Sequence, residues 1–399
     1  MRFSVRGISR VLLLQLIGIV LWSSVPLHPA QAASAFAGGD GSAGNPYLIE
    51  NADQFNEIRN NLTASYKLVQ NIDLSSYASA EGGKGWKPIG GVFAGQLNGD
   101  GHRITGLSIR RGSEGKVGLF ASVSGQINNL NIVQADVVGG SQVGILSGFM
   151  YPGTVDNVHV SGAVEGQSYV GGMIGESNHP QVQRSGAAVT VKGSGSHVGG
   201  LIGSIANSTN DFIVMNSYAE GDVEGERYVG GLVGFILMGT LERSYASGTV
   251  TGGDEVGGLI GSAYYGSIIR DSYALGAVSG NSAIGGFVGN IYESEFSDSY
   301  SAGAVAGNYS VGGFAGYTYN WTFNRLYWNS DAYWSALGYS SENITGISGV
   351  DLFKAASFGG LDFAGKWAIA EGKSYPYLRG NAPLWLTGLS VTPDTGTAG

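Results

Sequence analysis

The chain has 399 residues, of which 69 are Gly, contains no Cys and carries a formal net charge of −9. The lack of thiols excludes a fold held together by disulfides, so an exported chain of this composition relies on core burial and hydrogen bonding. The excess of acidic residues excludes nucleic acid as an expected partner, because a negatively charged surface repels the phosphate backbone.

The N-terminus has the pattern of a secretory signal peptide over residues 1–32. The first ten residues include three Arg, an apolar run follows from Val11 to Trp22, and Ala30-Gln31-Ala32 is a small-x-small cleavage site. We expect cleavage before Ala33. The apolar run is shorter than the ~20 residues that a membrane-spanning helix needs. The prediction is an exported chain with no membrane span once the signal is removed.

Residues 33–115 are predicted to hold a lead-in, an N-terminal helical cap and the first coils of a β-structure. A helix is predicted over 51–61, because Asn51 is followed at the capping-box position by Gln54. Its apolar side chains at helical spacing are Phe55, Ile58 and Leu62. A helix across the end of a stacked β-structure would cover its unpaired strand edges.

From residue 116 to residue 320 a short phrase returns eight times, a Val or Ile followed by Gly-Gly-Leu-Val-Gly or a variant of it. The copies start at Val117, Val143, Val170, Val198, Val229, Val256, Ile284 and Val311. The steps are 26 to 31 residues long, and a period of this size marks a solenoid in which each repeat stacks on the next. Each repeat holds three short β-prone pieces separated by Gly-containing or polar corners. The predicted fold is therefore all-β, a right-handed parallel β-helix with three sides.

Comparison of the repeats with one another predicts which side chains point inward. The positions equivalent to Ser244 and Ala246 hold small or apolar residues and are predicted to face the interior, so the position between them faces outward. In the C-terminal half that outward position holds Tyr218, Tyr245, Tyr273, Tyr300 and Tyr327. This external ladder is the candidate binding site, since exposed rings suit sugar faces. The alternative is structural, because in-register rings also stabilise a parallel sheet by stacking on each other.

After residue 320 the repeat stops, and residues 321–385 are predicted to form an aromatic-rich C-terminal cap. Trp367, Tyr377 and Leu378 are among the side chains expected to bury the last coil. Residues 386–399 start a new β-prone stretch. We interpret them as a linker or as the start of a further β-sandwich domain.

The repeat G-x-V-x-G-x-x-x-V-G-G-L-[IV]-G, followed by S-Y-A-x-G-x-V, resembles the GLUG motif of bacterial secreted and surface proteins and is seen best at 228–282. The flanking segments NPYLIENADQF and DFAGKWAIAEGKSYPYLR are similar to the same family. The resemblance implies a β-helix, export to the cell surface and an adhesin-like role. The family has no agreed catalytic residues, so the resemblance assigns none to this chain.

A search for catalytic motifs finds no HExxH pair among the five His, and no G-x-S-x-G elbow, P-loop or EF-hand loop. No cofactor is therefore expected. Acidic residues at two neighbouring corners form a candidate ridge for a cation, although solvated corners are the simpler interpretation. These residues are Asp222, Glu224, Asp254 and Glu255.

The predicted function is a non-catalytic β-helix stalk, secreted or at the bacterial cell surface, for adhesion or carbohydrate binding. The expected partners are surface glycans or host and matrix proteins, bound by a monomeric rod through many weak contacts. Two alternatives stay open, a polysaccharide-active lyase or hydrolase and a passive spacer for a domain outside this chain. A tyrosine ladder open to solvent would favour binding, whereas one buried under loops would favour the spacer.

Overall fold

The computed structural model describes residues 35–206, 213–340, 344–383 and 386. The predicted signal peptide and, apart from Leu386, the predicted linker over 386–399 lie outside the described residues. None of the helices in the described ranges is long and apolar enough to cross a membrane.

The described strands form a parallel β-solenoid in which the chain passes through three sheets, here sheets I, II and III, on each regular turn. Pairing joins positions one repeat apart, so that Val229 pairs with Val256 and Val256 with Ile284. Because each repeat of 26 to 31 residues forms one coil, equivalent positions of the repeats lie on the same side of successive coils. The predicted parallel β-helix built from three sheets is confirmed.

The strand bounds follow the repeat. The strands of sheet I are Ile89–Phe93, Phe120–Val123, Ser147–Met150, Ile174–Ser177, Ile202–Ala206, Val233–Leu237, Ile260–Tyr264, Val288–Tyr292 and Ala315–Tyr319. Those of sheet II are Val170–Gly171, Ser196–Gly199, Arg227–Gly230, Asp254–Gly257, Ser282–Gly285 and Tyr309–Gly312. Those of sheet III are Tyr47–Ile49, Ser65–Leu68, Ile72–Asp73, Gln96–Asn98, Arg103–Thr105, Ser108–Arg111, Gln126–Gly139, Gly153–Gly166, Pro180–Gln183, Gly186–Gly193, Ile213–Met215, Tyr218–Ala219, Val223–Glu224, Thr240–Glu242, Tyr245–Ala246, Val250–Thr251, Ile268–Arg270, Tyr273–Ala274, Val278–Ser279, Glu295–Ser301, Val305–Ala306, Thr322–Asn329 and Thr345–Ile347.

The Gly pair of the repeated phrase lies where the chain passes from sheet II to sheet I. A Cβ atom on Gly230 would lie 2.0 Å from the carbonyl oxygen of Val233, and one on Gly231 would lie 2.1 Å from that of Gly258. Only Gly allows backbone to approach this closely. The left-handed conformation falls instead on the residue before the Val, as in Tyr228 with φ of 54°. The Gly pairs are thus required by close backbone approach.

A serine ladder runs inside the solenoid along sheet III. Its members, all fully buried, are Ser185, Ser217, Ser244, Ser272 and Ser299. The backbone N–H of each of the first four donates to the hydroxyl of the next at 3.1–3.4 Å, and each hydroxyl donates to the carbonyl two residues earlier. These bonds satisfy polar groups that would otherwise be buried unpaired. The inward orientation predicted for Ser244 and Ala246 is confirmed.

The N-terminal helix forms as predicted but is half 3-10 in geometry. An α-helix at Ala52–Asn56 continues as a 3-10 turn at Glu57–Asn60, and another 3-10 turn lies at Ser75–Tyr77. The following helical segment, Ala80–Gly83, is kinked, because Glu81 and Gly82 have positive φ of 49° and 72°. Asn51 accepts a hydrogen bond from the N–H of Gln54 at 3.0 Å. Phe55 and Ile58 are fully buried against the first coils.

The C-terminal region has two parts, only one of which closes the end of the solenoid. Leu337 bridges to Ala315, and Thr345–Ile347 adds to the last regular strand of sheet III, so this stretch forms a partial coil. The following residues, 349–383, lie along the side of the solenoid and are called the lateral strap. The strap contains 3-10 helices at Gly349–Phe353 and Ala355–Ser357 and an antiparallel pair of Trp367–Ala368 with Tyr377–Leu378.

The strap corrects one prediction for the C-terminal cap. Trp367 and Leu378 were expected to cover the last coil, but they belong to a second hydrophobic cluster beside the main core. Asn381 reaches back to within 3.3 Å of the Ser217 carbonyl oxygen, several coils earlier. The expectation is wrong for these residues, because they pack on the apolar tyrosine rings along the side of the solenoid and remove those rings from water.

Candidate functional site

The predicted tyrosine ladder exists and lies outside the main core. Tyr218, Tyr245, Tyr273, Tyr300 and Tyr327 are paired in register along sheet III. The ring centroids of the first four are 5.0–5.4 Å apart, and neighbouring planes differ by 4–11°. The predicted outward direction of these side chains is confirmed, since most of them form a cluster distinct from the core.

Solvent does not reach most of this ladder, contrary to the prediction. The exposed fractions of Tyr245, Tyr273, Tyr300 and Tyr327 are 1%, 0%, 1% and 4%. The lateral strap covers them, with the Trp367 ring 5.9 Å from Tyr273 and the Phe358 ring 5.4 Å from Tyr300. Among the five tyrosines only Tyr218, the first ring of the ladder, is partly exposed. The buried rings are therefore not accessible to a sugar in this structure.

The hydroxyl groups of the ladder hold the strap and the coils together. Tyr300 donates to the carbonyl of Pro376 and Tyr327 to that of Gly359, both in the strap. Tyr245 donates to the Glu220 carboxylate at 2.6 Å. Within the described residues the hydroxyl of Tyr273 has no hydrogen-bond partner. Burial raises the pKa of Tyr245, Tyr273 and Tyr300 above the usual tyrosine value, so these phenols stay neutral.

The four candidate cation ligands are each engaged in separate contacts. Asp222 accepts from the N–H of Thr249 at 2.8 Å, Glu224 lies 3.5 Å from Lys192, and Asp254 accepts from Asn281. Glu255 is buried and faces Arg227. In the described ranges no group of three or more His, Asp or Glu side chains is arranged to hold a metal ion.

A second aromatic row, which the sequence reasoning missed, lies at the end of the sheet I strands. Leu237, Tyr264, Tyr292 and Tyr319 are paired in register on four successive coils. The ring centroids of Tyr264 and Tyr292 are 5.6 Å apart and those of Tyr292 and Tyr319 are 4.9 Å apart, with nearly parallel planes. The signal was available, because these tyrosines recur at steps of 28 and 27 residues, the period of the repeat.

The row continues over the corner between sheets I and II. Phe235 contacts Tyr264 and Tyr228 with centroids 5.4 Å away in each case. His197 lies 4.8 Å from Tyr228 and 4.6 Å from Tyr169. These rings are half-buried, and Tyr265 and Tyr319 are 45% and 49% exposed. We call this surface the aromatic band, and its members are Tyr169, His197, Tyr228, Phe235, Tyr264, Tyr265, Tyr292 and Tyr319.

A buried carboxylate organises the middle of the aromatic band. Glu255 accepts from Arg227 and from Ser262, both at 2.6 Å, and from the Asn290 amide at 3.0 Å. The same amide donates to the hydroxyl of Tyr264 at 2.9 Å, and the Arg227 guanidinium lies over the Tyr228 ring. These contacts fix the ring positions, and a ring fixed in advance loses little entropy when it binds.

His197 and Tyr264 of the aromatic band are neutral at pH 7. Burial, with a smaller contribution from the positive charge of Arg227, lowers the pKa of His197 to about 4. Burial and the negative charge of Glu255 raise the pKa of Tyr264 to about 12. The band therefore combines neutral apolar rings with hydroxyl and amide groups.

The coil geometry and its period define a solenoid of stacked 26- to 31-residue repeats. The family model for the GLUG motif matches residues 225–251 and 252–279. The chain thus contains GLUG repeats, as the resemblance of its repeated motif predicted.

Two curated relatives share parts of this chain. A protein of Evansella cellulosilytica, described as a candidate Gly-rich membrane protein, is 44% identical over 138 residues, which are 32% of this chain and 16% of that protein. Halomucin of Haloquadratum walsbyi is 34% identical over 208 residues, which are 49% of this chain and 2% of that protein. The chain therefore spans only a small part of the length of these relatives.

One solved structure has the same fold. It is a candidate immunoglobulin A1 protease from Bacteroides ovatus, with a TM-score of 0.52 and 18% sequence identity. The match covers 86% of this chain and 95% of that one. At this identity the similarity shows the fold alone.

Proposed function

We propose that this chain is a non-catalytic β-solenoid segment of a secreted or cell-surface protein and that it binds glycans through the aromatic band. The observation that carries the proposal is the partial exposure of the band on six successive coils from Tyr169 to Tyr319, while most of the predicted ladder is covered. Tyrosine suits such a surface because it combines an apolar ring with a polar hydroxyl.

The repeat supports a multivalent mode of binding. Successive coils are about 4.8 Å apart, so the band offers a regular series of similar contacts along a rigid surface. Each contact is weak, but several contacts to one polymer raise the overall affinity far above that of a single contact. A linear glycan or a dense glycan layer provides such a repeated ligand.

Export is supported by two independent features. The first is the basic, then apolar, then small-x-small pattern over residues 1–32. The second is the kind of relative that shares this sequence, since one is described as a membrane protein and another as a halomucin. The absence of Cys leaves the fold independent of the redox state outside the cell.

The proposal is tested by glycan binding of the chain from Ala33 to Gly399. We expect retention on at least one of cellulose, chitin, mannan or a printed array of bacterial and host glycans, with a loss of about tenfold or more for Tyr228→Ala/Tyr292→Ala. The matched control is Tyr309→Ala, because Tyr309 is 67% exposed and lies outside the band. Equal retention of the double variant and the parent chain, or no retention at all, contradicts the proposal.

A passive spacer is the second candidate function, and the buried tyrosine ladder favours it. The strap uses the ladder for packing, as a purely structural role requires. The chain also covers small shares of the relatives that it matches, 16% and 2%. A spacer predicts no glycan binding in the assay above, together with unchanged cell adhesion of the complete protein when the band is mutated.

An enzyme that cleaves polysaccharides has less support. Such β-helices gather carboxylates, or basic residues with Ca²⁺ ligands, in one groove, whereas no three His, Asp or Glu side chains among the described residues are arranged to hold a metal ion. Release of reducing or unsaturated sugar ends from the same polysaccharides would favour the enzyme over both other functions.

A further inference from the structure

The stacking of the aromatic band limits where a sugar ring can bind. Tyr264 covers one face of Tyr292 and Tyr319 covers the other, with planes within 18° of parallel. A sugar packs its C–H groups on the face of an aromatic ring, so the inner rings of the row offer only their edges and hydroxyls. A sugar can therefore stack only on a ring whose plane is inclined to those of the stacked row.

Tyr265 is such a ring. Its plane makes an angle of 66° with that of Tyr292, and the two centroids are 5.1 Å apart. Because both faces of Tyr292 are occupied, Tyr292 meets Tyr265 with its edge, and Tyr265 meets Tyr292 with one of its faces. Tyr265 also lies 6.0 Å from Tyr264, with the two planes at 53°, and its side chain stays 45% exposed. Tyr265 therefore presents part of its ring to solvent without being stacked within the row.

The same corner carries hydrogen-bonding side chains on the next two coils. Tyr265, Glu293 and Asn320 have φ of 47°, 49° and 46° and occupy equivalent corner positions. Tyr265 N–H donates to the Tyr292 carbonyl and Glu293 N–H to the Tyr319 carbonyl, which confirms that equivalence. Their similar backbone conformation places the three side chains at equivalent positions on successive coils. An aromatic ring, a carboxylate and an amide thus follow one another at about 4.8 Å.

A groove of about 460 Å³ runs beside this corner. The residues that line it include Gly266, Glu293, Glu295, Asn320 and Thr322. Glu293 is half-buried, whereas Glu295 and Asn320 are exposed. Among the described residues neither of these two Glu has an ion-pair partner, unlike Glu242 and Glu255 on neighbouring coils. Both carboxylates are therefore available as hydrogen-bond acceptors.

We propose that Tyr265 and the groove beside it form a subsite for a neutral oligosaccharide, in which one pyranose ring stacks on Tyr265 and the next sugars hydrogen-bond to Glu293, Glu295 and Asn320. This inference rests on the glycan-binding function proposed above. Carboxylates accept from sugar hydroxyls, and the Asn320 amide can donate as well as accept. Two unpaired carboxylates in a chain of net charge −9 repel uronates and sulfated sugars.

The experiment measures binding of soluble oligosaccharides to the chain from Ala33 to Gly399 by saturation-transfer NMR and calorimetry. The neutral probes are cellohexaose, xylohexaose, mannohexaose and chitohexaose, and hexagalacturonate is the acidic comparator. We expect at least one neutral probe to bind, hexagalacturonate not to bind, and Tyr265→Ala to weaken the neutral probe about tenfold. Glu293→Gln, which keeps the side-chain shape, is expected to weaken it about threefold to tenfold.

The outcomes separate the subsite from the wider function. Tyr309→Ala is the control for a solvent-exposed ring elsewhere, and thermal unfolding shows whether each variant keeps its fold. Neutral-probe binding that Tyr265→Ala and Glu293→Gln leave unchanged, but Tyr228→Ala abolishes, overturns the subsite and leaves the proposed function intact. Absence of binding by all probes overturns both. Binding of a Lys/Arg decapeptide that Tyr265→Ala removes, with no sugar bound, replaces the subsite with a site for a basic peptide.

Discussion

Two rows of tyrosines on this solenoid have almost the same stacking geometry and opposite exposure. Tyr245 and Tyr273 on sheet III are 5.0 Å apart, and Tyr292 and Tyr319 on sheet I are 4.9 Å apart. The first pair is 0–1% exposed, whereas Tyr319 is 49% exposed. The period of the repeat produces both rows, and only the lateral strap distinguishes them. In-register stacking is thus a property of the coil, while availability to a ligand depends on what packs above it.

The comparison predicts a large stability difference between equivalent substitutions in the two rows. Tyr273→Ala removes a fully buried ring that contacts both neighbours and Trp367, and we expect a loss of about 3–5 kcal/mol in the free energy of unfolding. Tyr292→Ala removes a half-buried ring that also stacks on two neighbours and contacts Tyr265, but that the strap does not cover, so its loss of stability should be much smaller. Urea-induced unfolding followed by circular dichroism measures both variants. Losses of equal size would show that the strap adds nothing to the stability of the ladder.

A second prediction concerns the pH dependence of the exposed band. Its His197 has a pKa of about 4 in the folded chain, whereas an unfolded His protonates near pH 6.5. Between these two pH values the unfolded state binds more protons than the folded state. The contribution of His197 to the free energy of unfolding is therefore complete above pH 6.5 and is lost as the pH falls towards 4. After allowance for partial exposure, we expect His197 to account for about 1–2 kcal/mol of the stability lost between pH 7 and pH 4.5.

The test compares urea midpoints at pH 7 and pH 4.5 for the parent chain and for His197→Tyr. Tyrosine fits this position, because Tyr169 and Tyr228 occupy it on the adjacent coils with the same positive φ. His197→Tyr should lose less stability between pH 7 and pH 4.5 than the parent chain. Some loss should remain in the variant, because burial also lowers the pKa of His159 and this residue likewise destabilises the fold at low pH. His102→Asn, outside the band, serves as the control. An unchanged pH dependence in His197→Tyr would rule out this contribution.

A smaller effect separates two members of the buried ladder from each other. Tyr300→Phe removes the hydrogen bond to the Pro376 carbonyl and should lower the free energy of unfolding by about 1 kcal/mol. Tyr273→Phe removes a buried hydroxyl that has no partner among the described residues, so stability should stay equal or rise by up to about 1 kcal/mol. Urea-induced unfolding of both variants gives the difference between their free energies of unfolding, and the sign of that difference is the test. Destabilisation by Tyr273→Phe of the same size as by Tyr300→Phe would contradict the hydrogen bonding described for the ladder.

Much of the architecture could be read from spacing within the sequence. The repeated Val-Gly-Gly phrase predicted the parallel coil, and alternation around Ser244 predicted both the inward serines and the outward tyrosines. These predictions hold because the backbone pairing repeats with the sequence period and depends on neighbouring coils alone. The exposed row of Tyr264, Tyr292 and Tyr319 obeys the same rule and could have been found by the same alignment of repeats.

The sequence by itself determined the coil, its core and the direction of each ladder, because all three follow from local alternation and a constant period. Only the tertiary structure decided which ladder meets solvent. That choice depends on contacts between distant segments, such as the ion pair of Lys366 with Asp271, which are 95 residues apart. No local pattern encodes where a non-repeating segment packs, since apolar residues of the strap match any apolar surface of suitable size. The strap packs on sheet III, and the aromatic band of sheets I and II keeps its partial exposure.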